Sequence, residues 1–140
     1  MQRTLAIIKP DAVERQLVGA IIQRIEEEDL RIRAMRMVHL TKGEAEGFYA
    51  VHRDRPFFDS LTDFMSSGPA LVLALEAPDV INRWRRLMGA TDPANADRGT
   101  LRREYGTAIE TNSTHGSDAP ETAAFELGYF FRTVELDARQ

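Results

Sequence analysis

The chain has 140 residues, 43% hydrophobic and 29% charged, with 18 Lys and Arg against 22 Asp and Glu for a net charge of −4. This is one domain's worth of chain; its apolar content excludes disorder, and nine Gly and six Pro exclude collagen-like repetition. The absence of cysteine excludes a disulfide scaffold, thiolate catalysis and a Cys-based zinc site, and the acidic balance argues against a dedicated nucleic-acid surface.

No apolar run approaches the ~18 residues needed to span a bilayer, so no membrane partner is expected. The run nearest the N-terminus, Leu5-Ala6-Ile7-Ile8, closes at Lys9-Pro10-Asp11 and is too short for a secretory leader, so a cytoplasmic protein is expected. Residues 3–9 read as a buried strand, ended by Pro10, which removes a ladder donor. From Asp11 the pattern turns helical, with Leu17, Val18, Ile21, Ile22 and Ile25 on one stripe. Residues 31–40 read as a second strand, in which Ile32, Ala34, Val38 and Leu40 point one way and Met35, Met37 and His39 the other. Thr41 is expected to cap a helix running to about residue 51, with Glu44 closing a capping box. A short helix follows over 57–65 and breaks at Ser66-Ser67-Gly68-Pro69.

Residues 70–76 form a continuous apolar run, best read as a central strand. Pro78 and Asp79 open a helix whose Val80, Ile81, Trp84, Leu87 and Met88 share a face. Residues 89–114 hold Gly89, Pro93, Gly99 and Gly106 and read as an irregular connection, long enough to be functional or disordered. Asp118-Ala119-Pro120-Glu121 reads as a helix start, with Asp118 at the N-cap and Glu121 three residues on, followed by a stripe of Ala123, Leu127, Phe130 and Phe131. Neither a repeat nor a boundary is visible, so one domain over 1–140 is expected. The order suits an α+β sandwich of the ferredoxin-like βαββαβ kind, a four-stranded antiparallel sheet covered by helices. That fold is widely shared and says nothing about chemistry.

The sequence has no G-x-G-x-x-G, no G-K-[ST] and no H-E-x-x-H, and its three His are far apart, so neither a Rossmann fingerprint, a P-loop nor a metal site is expected. His39 and His52 read as packing or surface residues. His115 differs, because it lies in Asn112-Ser113-Thr114-His115-Gly116-Ser117-Asp118, immediately before a helix start. The unpaired N–H groups there favour a neutral, nucleophilic imidazole and would steady a phosphoryl group on it; a structural loop histidine is the alternative. Gly116 would let the chain pass close to a ligand. Glu126, beside an apolar stripe, wants a partner: the imidazole, Ser117 or a loop arginine. Arg85 shares a face with Trp84 and Met88 and either snorkels or points into a cleft. Lys9 aims a cation at a sheet edge. Phe57 and Phe58 cannot both face one core, which leaves one to stack on a flat ligand or to cover a subunit contact. Arg83, Arg85, Arg86, Arg98, Arg102 and Arg103 form either a solvated, salt-bridged surface or a local anion site.

Taken together, these segments resemble the nucleoside diphosphate kinase family. The His115 segment is similar to that family's active-site motif. Ile7-Ile8-Lys9-Pro10-Asp11, Phe48-Tyr49, Arg55-Pro56-Phe57-Phe58, Ser67-Gly68-Pro69, Met88-Gly89-Ala90-Thr91-Asp92-Pro93 and Gly99-Thr100-Leu101-Arg102 match in order across nearly the whole chain. The resemblance implies ping-pong transfer of a γ-phosphate from a nucleoside triphosphate, mainly ATP, to a nucleoside diphosphate, maintaining triphosphate pools. His115 would carry the phosphate on Nδ1. Lys9 would meet the γ-phosphate and the sugar 3′-hydroxyl with Tyr49 nearby, and Arg85, Thr91 and Arg102 would hold the phosphates. Asn112 would hold the ribose, Phe57 would stack on the base, and Ser117 and Glu126 would orient the imidazole. Mg²⁺ would ride on the nucleotide phosphates. A catalytically silent nucleotide-binding scaffold is the alternative, opposed by the presence of His115, Lys9 and Arg102. A histidine-phosphatase-like enzyme would need Arg where Thr114 stands. Arg98 occupies a place where many relatives have a small residue or Pro. The tail ending at Gln140 is shorter than those that help build hexamers, so a homo-oligomer is expected, a tetramer before a hexamer.

Overall fold

A computed structural model describes residues 1–137; the tail end at Gln140 lies outside the described residues. Strands β1 (Gln2–Ile8) and β3 (Ala70–Ala77) pair antiparallel from Gln2↔Ala77 to Ile8↔Leu71, at the centre of a four-stranded sheet whose edges are β2 (Arg31–Val38) and β4 (Thr114–Gly116), in the order β2-β3-β1-β4. Both are apolar on two faces because both faces are covered. Leu5 and Ile7 point into one core with Val72 and Ala74, while Ala6 and Ile8 point into the other with Leu71, Leu73 and Leu75. Helices α2 (Val18–Glu27), α5 (Val80–Met88) and α6 (Leu101–Tyr105) cover the second core. The first is covered by α3 (Lys42–Phe48), α4 (Phe58–Met65) and α7 (Pro120–Phe130). All strand pairs are antiparallel, which gives the ferredoxin-like sandwich expected from the sequence. Among the described residues no helix is long and apolar enough to cross a membrane.

The local signals explain most boundaries. Thr41 and Glu44 form the expected capping box, with Glu44 N donating to Thr41 Oγ1 at 3.1 Å and Thr41 N to Glu44 Oε1 at 2.8 Å. That helix ends at Phe48, earlier than expected, and a single 3₁₀ turn, Ala50–His52, completes the segment. The helix expected after Asp11 is two: α1 (Pro10–Glu14) and α2, separated at Gln16, whose φ of 60° ends the first.

Three expectations are corrected. Edge strand β2 (Arg31–Val38) has an irregular register between Ile32 and Ala34, so Arg33 is an extra residue. One inserted residue reverses the facing of everything beyond it. Ile32 therefore packs on the core of α2 and α5, whereas Ala34, Val38 and Leu40 pack on the other. The stretch 89–114 is not plain loop: it holds a 3₁₀ turn at Pro93–Asn95, helix α6 capped by Thr100, and the start of strand β4 (Thr114–Gly116). Finally, α7 begins at Pro120 with Ala119 as its N-cap, and Asp118 instead accepts from Thr122 Oγ1 at 2.6 Å.

Candidate active site

His115 sits in the middle of β4, opposite Ile7 of β1, rather than in a loop. Its carbonyl accepts from Trp84 Nε1 at 3.1 Å, so helix α5 pins the strand from one side. Gly116 belongs to that contact. A Cβ there would fall 2.6 Å from Trp84 Cδ1 and 2.6 Å from Met88 Cε. The glycine thus admits an indole, not a ligand as the sequence suggested.

The imidazole packs against Phe48 and Tyr49, with ring centroids 5.4 and 5.9 Å away in edge-on geometry. Nε2 lies 2.9 Å from Glu126 Oε1, which also accepts from Ser117 Oγ at 2.8 Å. Ser117 in turn accepts from the Leu5 amide at 3.3 Å, which ties the group to the central strand. A carboxylate is acceptor-only, so Nε2 carries the hydrogen, and in the neutral ring the lone pair is on Nδ1. Nδ1 makes no hydrogen bond among the described residues. The ring is held by Glu126 in the second turn of α7, not by the amides of the helix's first turn.

Cations gather beside it. Lys9 follows β1 and is buried; its Nζ donates to Asn112 Oδ1 at 2.9 Å and to the Glu110 carbonyl at 3.5 Å. Burial, and then the charge of Arg102, pulls its pKa down to about 8. Asn112 donates onward to the Thr91 carbonyl at 3.0 Å. Arg102 of α6, also buried, donates to the carbonyls of Gly89 and Thr114, each at 3.0 Å. Burial and the neighbouring charge of Arg85 lower its pKa to about 10. Arg102 Nε and Tyr49 Oη are buried without a partner, and burial, with Glu126 next, pushes the Tyr49 hydroxyl up. An unmade buried hydrogen bond costs about 1–3 kcal/mol, so donors left open beside His115 mark a place prepared for acceptor oxygens.

Phe57 is 46% exposed while Phe58 is 8% exposed, so the two aromatics divide between surface and core. His52 lies between Tyr49 (centroids 6.3 Å, near-parallel) and Phe57 (5.5 Å), forming a row of rings that runs from the imidazole's neighbour to the surface.

A family model for nucleoside diphosphate kinase matches residues 2–136. The chain belongs to the nucleoside diphosphate kinase family. It is 60% identical over 139 residues to the nucleoside diphosphate kinase of Desulfosudis oleivorans, covering 99% of this chain and all of that one. The crystal structure of the Aquifex aeolicus nucleoside diphosphate kinase superposes with a TM-score of 0.94 at 42% identity, covering 96% of this chain and 97% of that one. The Halobacterium salinarum nucleoside diphosphate kinase, solved in complex with CDP, gives a TM-score of 0.94 at 37% identity, covering 99% and 93%.

In this member of the nucleoside diphosphate kinase family, three hydrogen-bonded groups account for most of the expected site. His115, Ser117 and Glu126 form one; Lys9, Asn112 and the Thr91 carbonyl form another; Arg102 reaches Thr114, next to His115. Tyr49 joins through its ring. Arg85 is exposed and is linked to the group by its field on Arg102; among the described residues Phe57 joins through its ring contact with His52. Sequence reasoning missed Phe48, Trp84 and His52. Trp84 reads as one of an apolar stripe and Phe48 only as part of a matched segment, and nothing in one sequence shows which buried atom meets a site. It also missed Glu110, whose carboxylate accepts from Ser60 of α4 at 2.8 Å and whose carbonyl meets Lys9.

Proposed function

We propose that the chain is an active nucleoside diphosphate kinase working through a phosphohistidine on His115. The Nδ1 lone pair attacks the γ-phosphorus of a nucleoside triphosphate. The bond to the β–γ bridging oxygen breaks, and the diphosphate leaves with that electron pair. A terminal oxygen of a second diphosphate then attacks the phosphorus, and the P–N pair returns to Nδ1. Throughout, the Nε2 proton stays on its hydrogen bond to Glu126. The reading rests on one observation: Nε2 is engaged at 2.9 Å while Nδ1 makes no hydrogen bond among the described residues, on a segment whose Asn112 and Thr114 hold the buried cations of Lys9 and Arg102.

Lys9 and Arg102 would meet the charge on the transferring group, with Arg85 and Thr91 on the remaining phosphates, Asn112 on the ribose and Tyr49 near the sugar hydroxyls. Preorganised charge is what phosphoryl transfer chiefly needs. These are anion partners, which suits a metal that enters on the substrate: Mg²⁺ bound to the nucleotide phosphates would spread their charge. The exposed Met35 and Met37 on β2 support a homo-oligomer, for which a tetramer is our reading, in the cytoplasm. The deciding experiment is the intact mass of protein mixed with ATP and then with a diphosphate. Gain of one phosphoryl group, lost on adding the acceptor, is expected; an unchanged mass in ATP overturns the reading.

Two outcomes test the binding residues. Phe57→Ala should weaken nucleotide binding by ~1–3 kcal/mol for every base, since each offers a π-face to the ring; calorimetric titration showing unchanged affinity removes Phe57 from the site. Lys9 gives a pH signature. Its proton is lost at about 8 rather than 10.5, so nucleotide affinity should fall by up to about tenfold per unit above pH 8. Lys9→Gln should bind weakly with that limb flattened. Stability moves the opposite way. The unfolded chain binds the extra proton between about 8 and 10.5, so this group's cost to folding is full below that window and gone above it.

A further inference from the structure

A second concavity, of about 280 Å³, lies between the end of α2, helix α5 and the turn before α6, lined by Arg24, Glu28, Arg83, Arg86, Arg98 and Thr100. Of the arginines concentrated in this part of the chain, Arg102 and Arg85 are taken up by the His115 site. Arg83, Arg86 and Arg98 are not. Main-chain carbonyls, which carry no charge, orient two of the four guanidinium groups lining the concavity. Arg83 donates to the carbonyls of Glu28 at 2.7 Å and Pro78 at 3.1 Å, and Arg24 to that of Gly99 at 2.7 Å. Arg24 has one ion pair, a long 3.5 Å contact with Glu104. The guanidinium groups of Arg86 and Arg98 make no hydrogen bond or ion pair among the described residues. Four cations therefore face one lining carboxylate, Glu28, in a chain whose net charge is −4.

Like charges gathered this way repel, and carbonyl partners fix their direction without neutralising them. The missing complement is an anion with several acceptor oxygens. Size narrows the choice: the concavity is just below the ~300–1,000 Å³ typical of sites that enclose a drug-sized molecule, which suits one or two phosphates rather than a whole nucleotide. We propose that this concavity is a second anion site that binds a small oligophosphate of the pyrophosphate type. Arg86 and Arg98 are its free clamps, and Arg24 and Arg83 its fixed wall. Arg86 and Thr100 also line a neighbouring concavity of about 680 Å³ that takes in Arg85 and Gly89, so the positive surface continues toward Arg102.

The test is calorimetric titration of inorganic pyrophosphate, without added magnesium, into the whole protein with ADP saturating the His115 site. Binding is expected to persist in ADP and to weaken with salt. In the Arg86→Ala, Arg98→Ala double variant it should weaken about tenfold or more, while phosphoenzyme formation from ATP is unchanged. Arg98→Ala alone, an exposed change that breaks no hydrogen bond, should give a smaller loss in the same direction. Absence of pyrophosphate binding in ADP, equal binding by the double variant, or binding only of a long polyanion such as a DNA duplex each overturns the proposal. The double variant reads this concavity whatever occupies the other, so its result is separable from failure of the kinase reading.

Discussion

His115→Ala should abolish labelling by radioactive ATP and lower turnover by a factor on the order of 10⁶, the scale seen when a covalent nucleophile is removed. No neighbour can substitute. Ser117 is buried with its hydroxyl committed to Glu126, and Tyr49 is buried with its proton held more firmly than usual. Lys9 faces Asn112 and Glu110. The fold should survive with a modest loss. Glu126 keeps Ser117 as a donor when the imidazole goes, and His115's backbone contacts to Trp84 and β1 remain. About 1–3 kcal/mol is expected for the lost hydrogen bond. The label on the wild type should be acid-labile, as a P–N bond is; label of that kind retained by the alanine variant refutes the assignment. Labelling the wild type with the γ- but not the α-phosphate of ATP checks which bond breaks.

The parts of this molecule legible in its sequence are those with a local physical cause. Strands β1 and β3 show as apolar runs because both faces are buried, and Thr41 with Glu44 announces a helix start because the two side chains satisfy each other's amides. Glu126 could be picked out because a carboxylate beside Leu127 and Phe130 has to find a partner. Which of the imidazole, Ser117 and an arginine it finds depends on how α7 lies against β4, and that is a tertiary fact. Strand β4 has three residues, too few to show an alternation, and its partner is more than 100 positions away in β1. The β2 bulge was invisible for a similar reason, since one extra residue leaves a run of apolar side chains looking unbroken while exchanging the faces they serve. Trp84 sits squarely in the apolar stripe of α5. Periodicity shows that it is buried and hides that its N–H reaches the carbonyl of His115.

That last contact sets the second large effect. Gly116→Ala should cost about 1–3 kcal/mol of stability and lower turnover by about 10²-fold, through the wall that the added methyl meets on α5. The new Cβ would stand 2.6 Å from Trp84 Cδ1 and 2.7 Å from Nε1, closer than carbon atoms approach. Trp84 is fully buried and has nowhere to retreat. Strand β4 therefore moves, and it carries His115 away from Glu126 and from the cations around Lys9 and Arg102. Gly128→Ala on α7 is the matched control. Nothing lies within 4 Å of the Cβ there, so it should stabilise the helix by roughly 0.5–1 kcal/mol with turnover unchanged. Trp84→Ala supplies the partner change, because it removes both Cδ1 and Nε1 beside residue 116 while giving up the bond to the His115 carbonyl. Combined with Gly116→Ala, it should lose less than the sum of the two single losses in both thermal unfolding and turnover. Strict additivity would mean that the strand is positioned by something other than the indole.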